Sequence, residues 1–129
     1  MANFLIADDS LVMRKTIKNL LEQLGHQVIG EAENGLEVYN KFKELKPDGV
    51  LMDIEMPVMD GFTLIAEVRK DPQFSKLPIL VQTSLAGEDI KKKVTELGAD
   101  AYQVKLDREK VLLTINELLE ARKQRISHA

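Results

Sequence analysis

The chain has 129 residues, a mass of 14.6 kDa, 44% hydrophobic and 30% charged residues, and a net charge of −3 from 18 basic and 21 acidic side chains. That size suits one self-sufficient globular domain, 1–129, and the slightly acidic balance gives no electrostatic reason to grip nucleic acid or an anionic membrane. The absence of cysteine excludes disulfides and thiolate chemistry, and no apolar run approaches the roughly 18 residues of a membrane span.

Met1-Ala2-Asn3 leads straight into a strand pattern without a basic leader, so the expectation is a natural start and a soluble, cytoplasmic protein. The first strand is expected at Phe4 to Ala7, running into Asp8 and Asp9. Ser10 suits the N-cap of a helix whose apolar positions Met13, Ile17, Leu20, Leu21 and Leu24 fall at steps of three and four, with Gly25 as its stop. A second strand, Gln27 to Glu31, is followed by a turn at Asn34-Gly35. The next helix carries Val38, Phe42 and Leu45 on one face and ends before Pro47.

The third strand runs from Gly49 through Met52 to Asp53 and is nearly all apolar, as expected of a strand covered on both faces. A loop with Pro57 and Asp60-Gly61 leads to a helix facing Phe62, Ile65 and Val68 inward and closed by Asp71-Pro72. Pro78 introduces a fourth strand, Ile79 to Gln82, ending at Thr83. A helix from about Gly87 to Leu97 has the sparse stripe Ile90, Val94 and Leu97, and Gly98 stops it. The fifth strand, Tyr102 to Val104, runs into Lys105. A last helix, capped by Asp107, shows Val111, Leu112, Ile115, Leu118 and Leu119. Five strands alternating with five helices predict an α/β fold: a doubly wound, five-stranded parallel sheet of order 2-1-3-4-5, flavodoxin-like.

In such a sheet the residues at four strand ends meet at one edge, where open α/β sheets bind ligands. Asp8, Asp9 and Asp53 would repel one another there, and a hard divalent cation resolves the repulsion. Mg2+ suits a few carboxylates completed by water and phosphate oxygens. Asp53 can serve as nucleophile in an aspartyl-phosphate reaction, Lys105 can bind one phosphoryl oxygen, and the Thr83 hydroxyl can donate to another.

The Asp8-Asp9 pair, Met52-Asp53-Ile54-Glu55-Met56-Pro57-Val58-Met59-Asp60-Gly61, Thr83-Ser84 and Gly98-Ala99-Asp100-Ala101-Tyr102-Gln103-Val104-Lys105 resemble the receiver domains of bacterial two-component response regulators, most closely the chemotaxis-type, CheY-like ones. The spacings are 45 positions from Asp8 to Asp53, 30 to Thr83 and 22 to Lys105, and the resemblance covers the whole chain. It implies that Asp53 is the phosphoacceptor for a phosphohistidine of a sensor histidine kinase. It implies further that Asp8, Asp9, Asp53 and the Glu55 backbone carbonyl organise Mg2+, that Thr83 and Tyr102 form a switch pair, and that Lys105 contacts the phosphoryl group. The helix 4, strand 5 and helix 5 face would signal to a downstream target such as a flagellar motor or chemotaxis component, with a phosphatase as a further partner. On this reading the chain is a signalling receiver rather than an enzyme, although it promotes its own phosphoryl transfer and autodephosphorylation.

Leu106 stands where receivers usually have proline. Together with Ser84-Leu85-Ala86-Gly87 it is reminiscent of receivers joined to chemotaxis coupling proteins or kinases. Two other functions stay open: a Mg2+-dependent phosphatase of the haloacid dehalogenase type, and a receiver-fold interaction module that takes no phosphate. Bland readings cover the remainder. Lys91-Lys92-Lys93 reads as a solvated helix face, Met52, Met56 and Met59 as packing, and His26 and His128 as isolated surface histidines. Arg122, Lys123 and Arg125 complement the negative end of the last helix.

Overall fold

The structure is a computed structural model that describes residues 2–104, 117, 119 and 120. It contains strands β1 (Asn3–Ala7), β2 (Gln27–Ala32), β3 (Gly49–Met52), β4 (Ile79–Thr83) and β5 (Ala101–Val104). Between them lie helices α1 (Leu11–Gln23), α2 (Gly35–Leu45), α3 (Gly61–Lys70) and α4 (Glu88–Leu97), with a 3-10 turn at Pro72–Phe74. The sheet has the order β2-β1-β3-β4-β5, and every neighbouring pair is parallel. The expected last helix, with its cap Asp107, lies outside the described residues apart from the helical Glu117, Leu119 and Glu120.

Successive side chains of a strand point to opposite faces, and the core divides accordingly. Phe4, Ile6, Leu51 and Leu80 pack with Ile17, Leu20 and Leu21 of α1, and Leu119 joins them. Leu5, Ala7, Val50, Met52, Ile79 and Val81 pack on the other face with residues of α2, α3 and α4, including Phe42, Ile65 and Val94. All four residues of β3 are buried, as its apolar run requires. Met52 and Met56 are buried in this second cluster and Met59 packs against it.

Local signals fix the helix starts. The side chains of Ser10, Asn34 and Asp60 accept hydrogen bonds from the backbone N–H groups of Met13, Glu37 and Thr63, satisfying donors that the first turn leaves unpaired. Asn34-Gly35 is therefore a helix start rather than a turn: Asn34 is the cap and Gly35 the first helical residue. In α3 Gly61, Leu64, Ile65 and Val68 are buried, while Phe62 packs half-buried against the same core with the Lys93 ammonium 3.9 Å above its ring. Gly98 ends α4 in the left-handed conformation at φ 117°.

His26 is less isolated than its sequence position suggests. Its Nδ1 accepts from the Ala2 N–H at 3.2 Å, and its ring meets Phe4 edge-on at 5.4 Å. Burial, and after it the positive amino terminus, lowers its pKa from the ordinary 6.5. A protonated ring also cannot accept at Nδ1. Its contribution to stability is thus present above the unfolded pKa and lost as pH falls through the lower folded value. Between about pH 7 and about pH 5 the Tm of wild type is expected to fall more than that of His26→Asn. Parallel curves would remove His26 from this account.

Candidate functional site

The four strands β1, β3, β4 and β5 run parallel, so their carboxyl ends share one edge of the sheet. Ala7 of β1 pairs with Met52 of β3, which sets the following residues, Asp8 and Asp53, beside each other. The ladder continues one step beyond each strand: Asp53 N–H donates to the Ala7 carbonyl at 2.9 Å and Asp8 N–H to the Ala32 carbonyl at 3.0 Å. Both carboxylates are buried, at 1% exposure for Asp8 and 2% for Asp53. Asp8 Oδ1 accepts from Ser10 N–H at 2.8 Å and Asp53 Oδ1 from Glu55 N–H at 3.2 Å. Asp9 is exposed, yet a carboxylate oxygen from each of Asp8, Asp9 and Asp53 lies within 4.8 Å of the others.

Burying carboxylates this close is costly unless cations or hydrogen bonds compensate. The hard, all-oxygen donor set, with one member open to solvent, fits a divalent cation of the Mg2+ kind, which keeps several ligands from outside the protein. The wall beneath is tight. A methyl on Gly61 would come 2.6 Å from Ile54 Cα and 2.9 Å from the Asp53 carbonyl oxygen, so only glycine lets α3 start against the strand end that presents Asp53.

Thr83 is fully buried at the end of β4, and its Oγ1 accepts from Leu85 N–H at 3.2 Å. Tyr102, half-buried on β5 opposite Val81, donates its hydroxyl hydrogen bond to the carbonyl of the same Leu85. The two hydroxyls thus hold one residue of the loop after β4 from both sides of its backbone. Ser84 Oγ donates to Glu55 Oε1 at 2.8 Å, joining that loop to the one after β3. The structure accordingly gathers Asp8, Asp9 and Asp53, and ties Thr83 to Tyr102 through Leu85. Lys105 and Leu106 lie outside the described residues. Sequence reasoning missed Arg14, whose Nη1 donates to the Asp8 carbonyl at 2.7 Å; a charged residue in the second turn of a helix carries no such signal.

The described residues include no helix long and apolar enough to cross a membrane. The family model of the response regulator receiver domain matches residues 4–117. Chemotaxis protein CheY of Thermotoga maritima is 40% identical over 101 residues, 78% of this chain and 82% of that protein. Chemotaxis protein CheV3 of Helicobacter pylori is 36% identical over 126 residues, covering 90% of this chain and 40% of that protein. Among solved structures, the CheX–CheY–BeF3–Mg2+ complex from Borrelia burgdorferi superposes with a TM-score of 0.86 at 31% identity, over 91% of this chain and 88% of the matched one. The chain spans between 13% and 40% of the length of three curated relatives that it matches. With the family model running from within β1 to well past β5, and the predicted strand order observed, the chain is a member of the response regulator receiver domain family.

Proposed function

We propose that the chain is a single receiver domain acting as a phosphorylation-dependent switch of a two-component, chemotaxis-type system. The observation that carries the reading is the meeting of Asp8, Asp9 and Asp53 within 4.8 Å at the carboxyl edge of the sheet. Asp8, Asp9, Asp53 and the Glu55 backbone carbonyl would hold Mg2+. The ion, when bound, supplies positive charge against the carboxylates and the phosphoryl oxygens.

A carboxylate oxygen of Asp53 attacks the phosphorus of a phosphohistidine on the sensor kinase. The new P–O bond forms as the P–N bond breaks, and the electron pair returns to the imidazole nitrogen. Thr83 Oγ1 and the Lys105 ammonium then bind phosphoryl oxygens. Turning the Thr83 hydroxyl toward that group removes the acceptor of Leu85 N–H, and the Leu85 carbonyl is the acceptor of Tyr102. Phosphate at Asp53 therefore reaches the aromatic side chain on β5 through one loop residue. The face of α4, β5 and the last helix reports the change to a downstream chemotaxis or motor protein, and a phosphatase resets it. Phosphate and target both shift one equilibrium, each by no more than its differential affinity. The working compartment is the cytoplasm, and the chain promotes its own phosphoryl transfer and hydrolysis without turning over a separate substrate.

Incubation with acetyl phosphate and Mg2+, followed by intact-mass measurement, tests the proposal. One phosphoryl addition is expected; none under any condition, or steady hydrolysis of phosphate esters, overturns it. Mg2+ alone is also expected to raise the Tm. Binding at 100 times Kd stabilises by about 2.7 kcal/mol, or on the order of 5–10 °C for a domain of this size. Asp9→Ala is expected to lose that rise, and a wild-type Tm indifferent to Mg2+ would remove the metal site.

A further inference from the structure

The geometry points to Arg14 as a positioning residue for the acidic pair, a role that rests on the metal-site reading above. Arg14 lies in α1, its side chain only 13% exposed. Nη1 donates to the Asp8 carbonyl at 2.7 Å and Nε pairs with Glu31 Oε1 of β2 at 3.2 Å. Glu31 is fixed in turn, since its carbonyl accepts from Lys41 Nζ of α2. One guanidinium thus ties the β1–α1 turn to β2, using the fork that arginine has and lysine lacks.

The bond to Asp8 matters most for Asp9. Asp8 is held at its N–H by Ala32, at its carboxylate by Ser10 and at its carbonyl by Arg14. Asp9 is exposed and has no hydrogen-bond partner among the described residues, yet its oxygen comes within 4.8 Å of those of Asp8 and Asp53. Its direction is set by the backbone, and the peptide leading into it is the one whose carbonyl Arg14 holds. Freeing that peptide lets Asp9 swing away from the cluster. Partners of this kind, one layer behind the ligands, typically change metal affinity by about 10- to 100-fold.

Charge alone predicts the opposite sign. Removing a cation one hydrogen bond from Asp8 lowers the repulsion felt by an incoming Mg2+ and should tighten its binding. The test is Mg2+ chloride titrated into wild type, Arg14→Met, Arg14→Lys and Glu31→Ala, with Kd from calorimetry and the metal-free Tm recorded for each. Arg14→Met is expected to raise the Mg2+ Kd about tenfold. Arg14→Lys, able to reach one partner but not both, and Glu31→Ala, which leaves the guanidinium unsteered, are expected to fall between it and wild type. A lower metal-free Tm with unchanged Kd assigns Arg14 to folding alone and overturns the inference, as does tighter binding. Should Arg14→Met fail to fold, unchanged Kd in both Arg14→Lys and Glu31→Ala overturns it equally. If wild type itself does not bind Mg2+, the metal-site reading fails first, and the inference falls with it.

Discussion

Asp53→Asn, incubated with acetyl phosphate and Mg2+, is expected to show no mass increase where wild type gains one phosphoryl group. The substitution removes the nucleophile while conserving volume. An asparagine Oδ1 can still accept the Glu55 N–H that Asp53 Oδ1 accepts at 3.2 Å, and the backbone bond from residue 53 to the Ala7 carbonyl is untouched. The amide nitrogen has its lone pair delocalised into the carbonyl and does not replace a carboxylate as attacking group. The variant should therefore fold as wild type does, which circular dichroism and a urea melt can check. Loss of the product then reports chemistry and not packing. A full phosphoryl addition to Asp53→Asn would move the acceptor to another side chain, Asp8 and Asp9 being nearest, and would undo the assignment of Asp53.

Gly35→Ala is expected to destabilise the protein by about 3 kcal/mol or more, at the upper end of overpacking penalties. A Cβ at Gly35 would stand 2.0 Å from the Met59 carbonyl oxygen and 2.8 Å from both Met59 C and Cβ. The nearest atoms are main chain of the loop between β3 and α3, so no side-chain rotation relieves them. Either the start of α2 or the loop that follows Asp53 has to move, and α2 carries Val38 and Phe42 into the core. The mutational cost is thus expected in stability and in phosphorylation rate together. Gly25 has nothing within 4 Å of its hypothetical Cβ but sits at φ 84°, so Gly25→Ala isolates the backbone penalty from the steric one. Urea melts of both variants decide the matter; a Gly35→Ala protein within about 1 kcal/mol of wild type would mean that the loop yields easily.

The same glycine shows where sequence reading ran short. Asn-Gly is a strong turn signal, and nothing local to Asn34-Gly35 reveals that a loop over 20 residues later presses on it. Strands were legible because apolar runs bounded by Asp, Pro and Gly alternate with helical periodicity; right-handed crossovers left few strand orders, and 2-1-3-4-5 is the usual doubly wound one for a chain of this size. The α3 face was largely legible: Ile65 and Val68 are buried and Phe62 packs half-buried against the core as expected, but the fully buried Leu64 was not anticipated. Three-residue and four-residue steps back from Val68 give Ile65 and Leu64, whereas Phe62 falls at the margin of that stripe. Asp8, Asp9 and Asp53 could be found because their chemistry is carried by residue type at strand ends. Arg14 and the Ser84 to Glu55 bond could not, since each depends on which side chain a separate element brings within reach.

Helix α4 is fastened very differently at its two ends. At its C-terminal end Arg69 donates to the Gly98 carbonyl at 2.9 Å, to the Phe74 carbonyl at 2.8 Å and to Asp100 at 3.0 Å, while Asp100 also accepts from Ile79 N–H at 2.8 Å. At its N-terminal end Gly87 provides no side-chain cap, and Ser84, Ala86, Gly87, Glu88 and Asp89 are exposed. The ten-residue helix is about 15 Å long, with the Arg69 clasp at its Gly98 end and the Ser84–Leu85 loop, held by Glu55, Thr83 and Tyr102, ahead of the other. A tilt of about 10° that leaves the Arg69 clasp intact would carry the loop end through roughly 2.6 Å over that length. On the proposed phosphorylation of Asp53, force would enter this helix at the end next to Thr83, while the Arg69 clasp would hold the other end to α3 and the sheet.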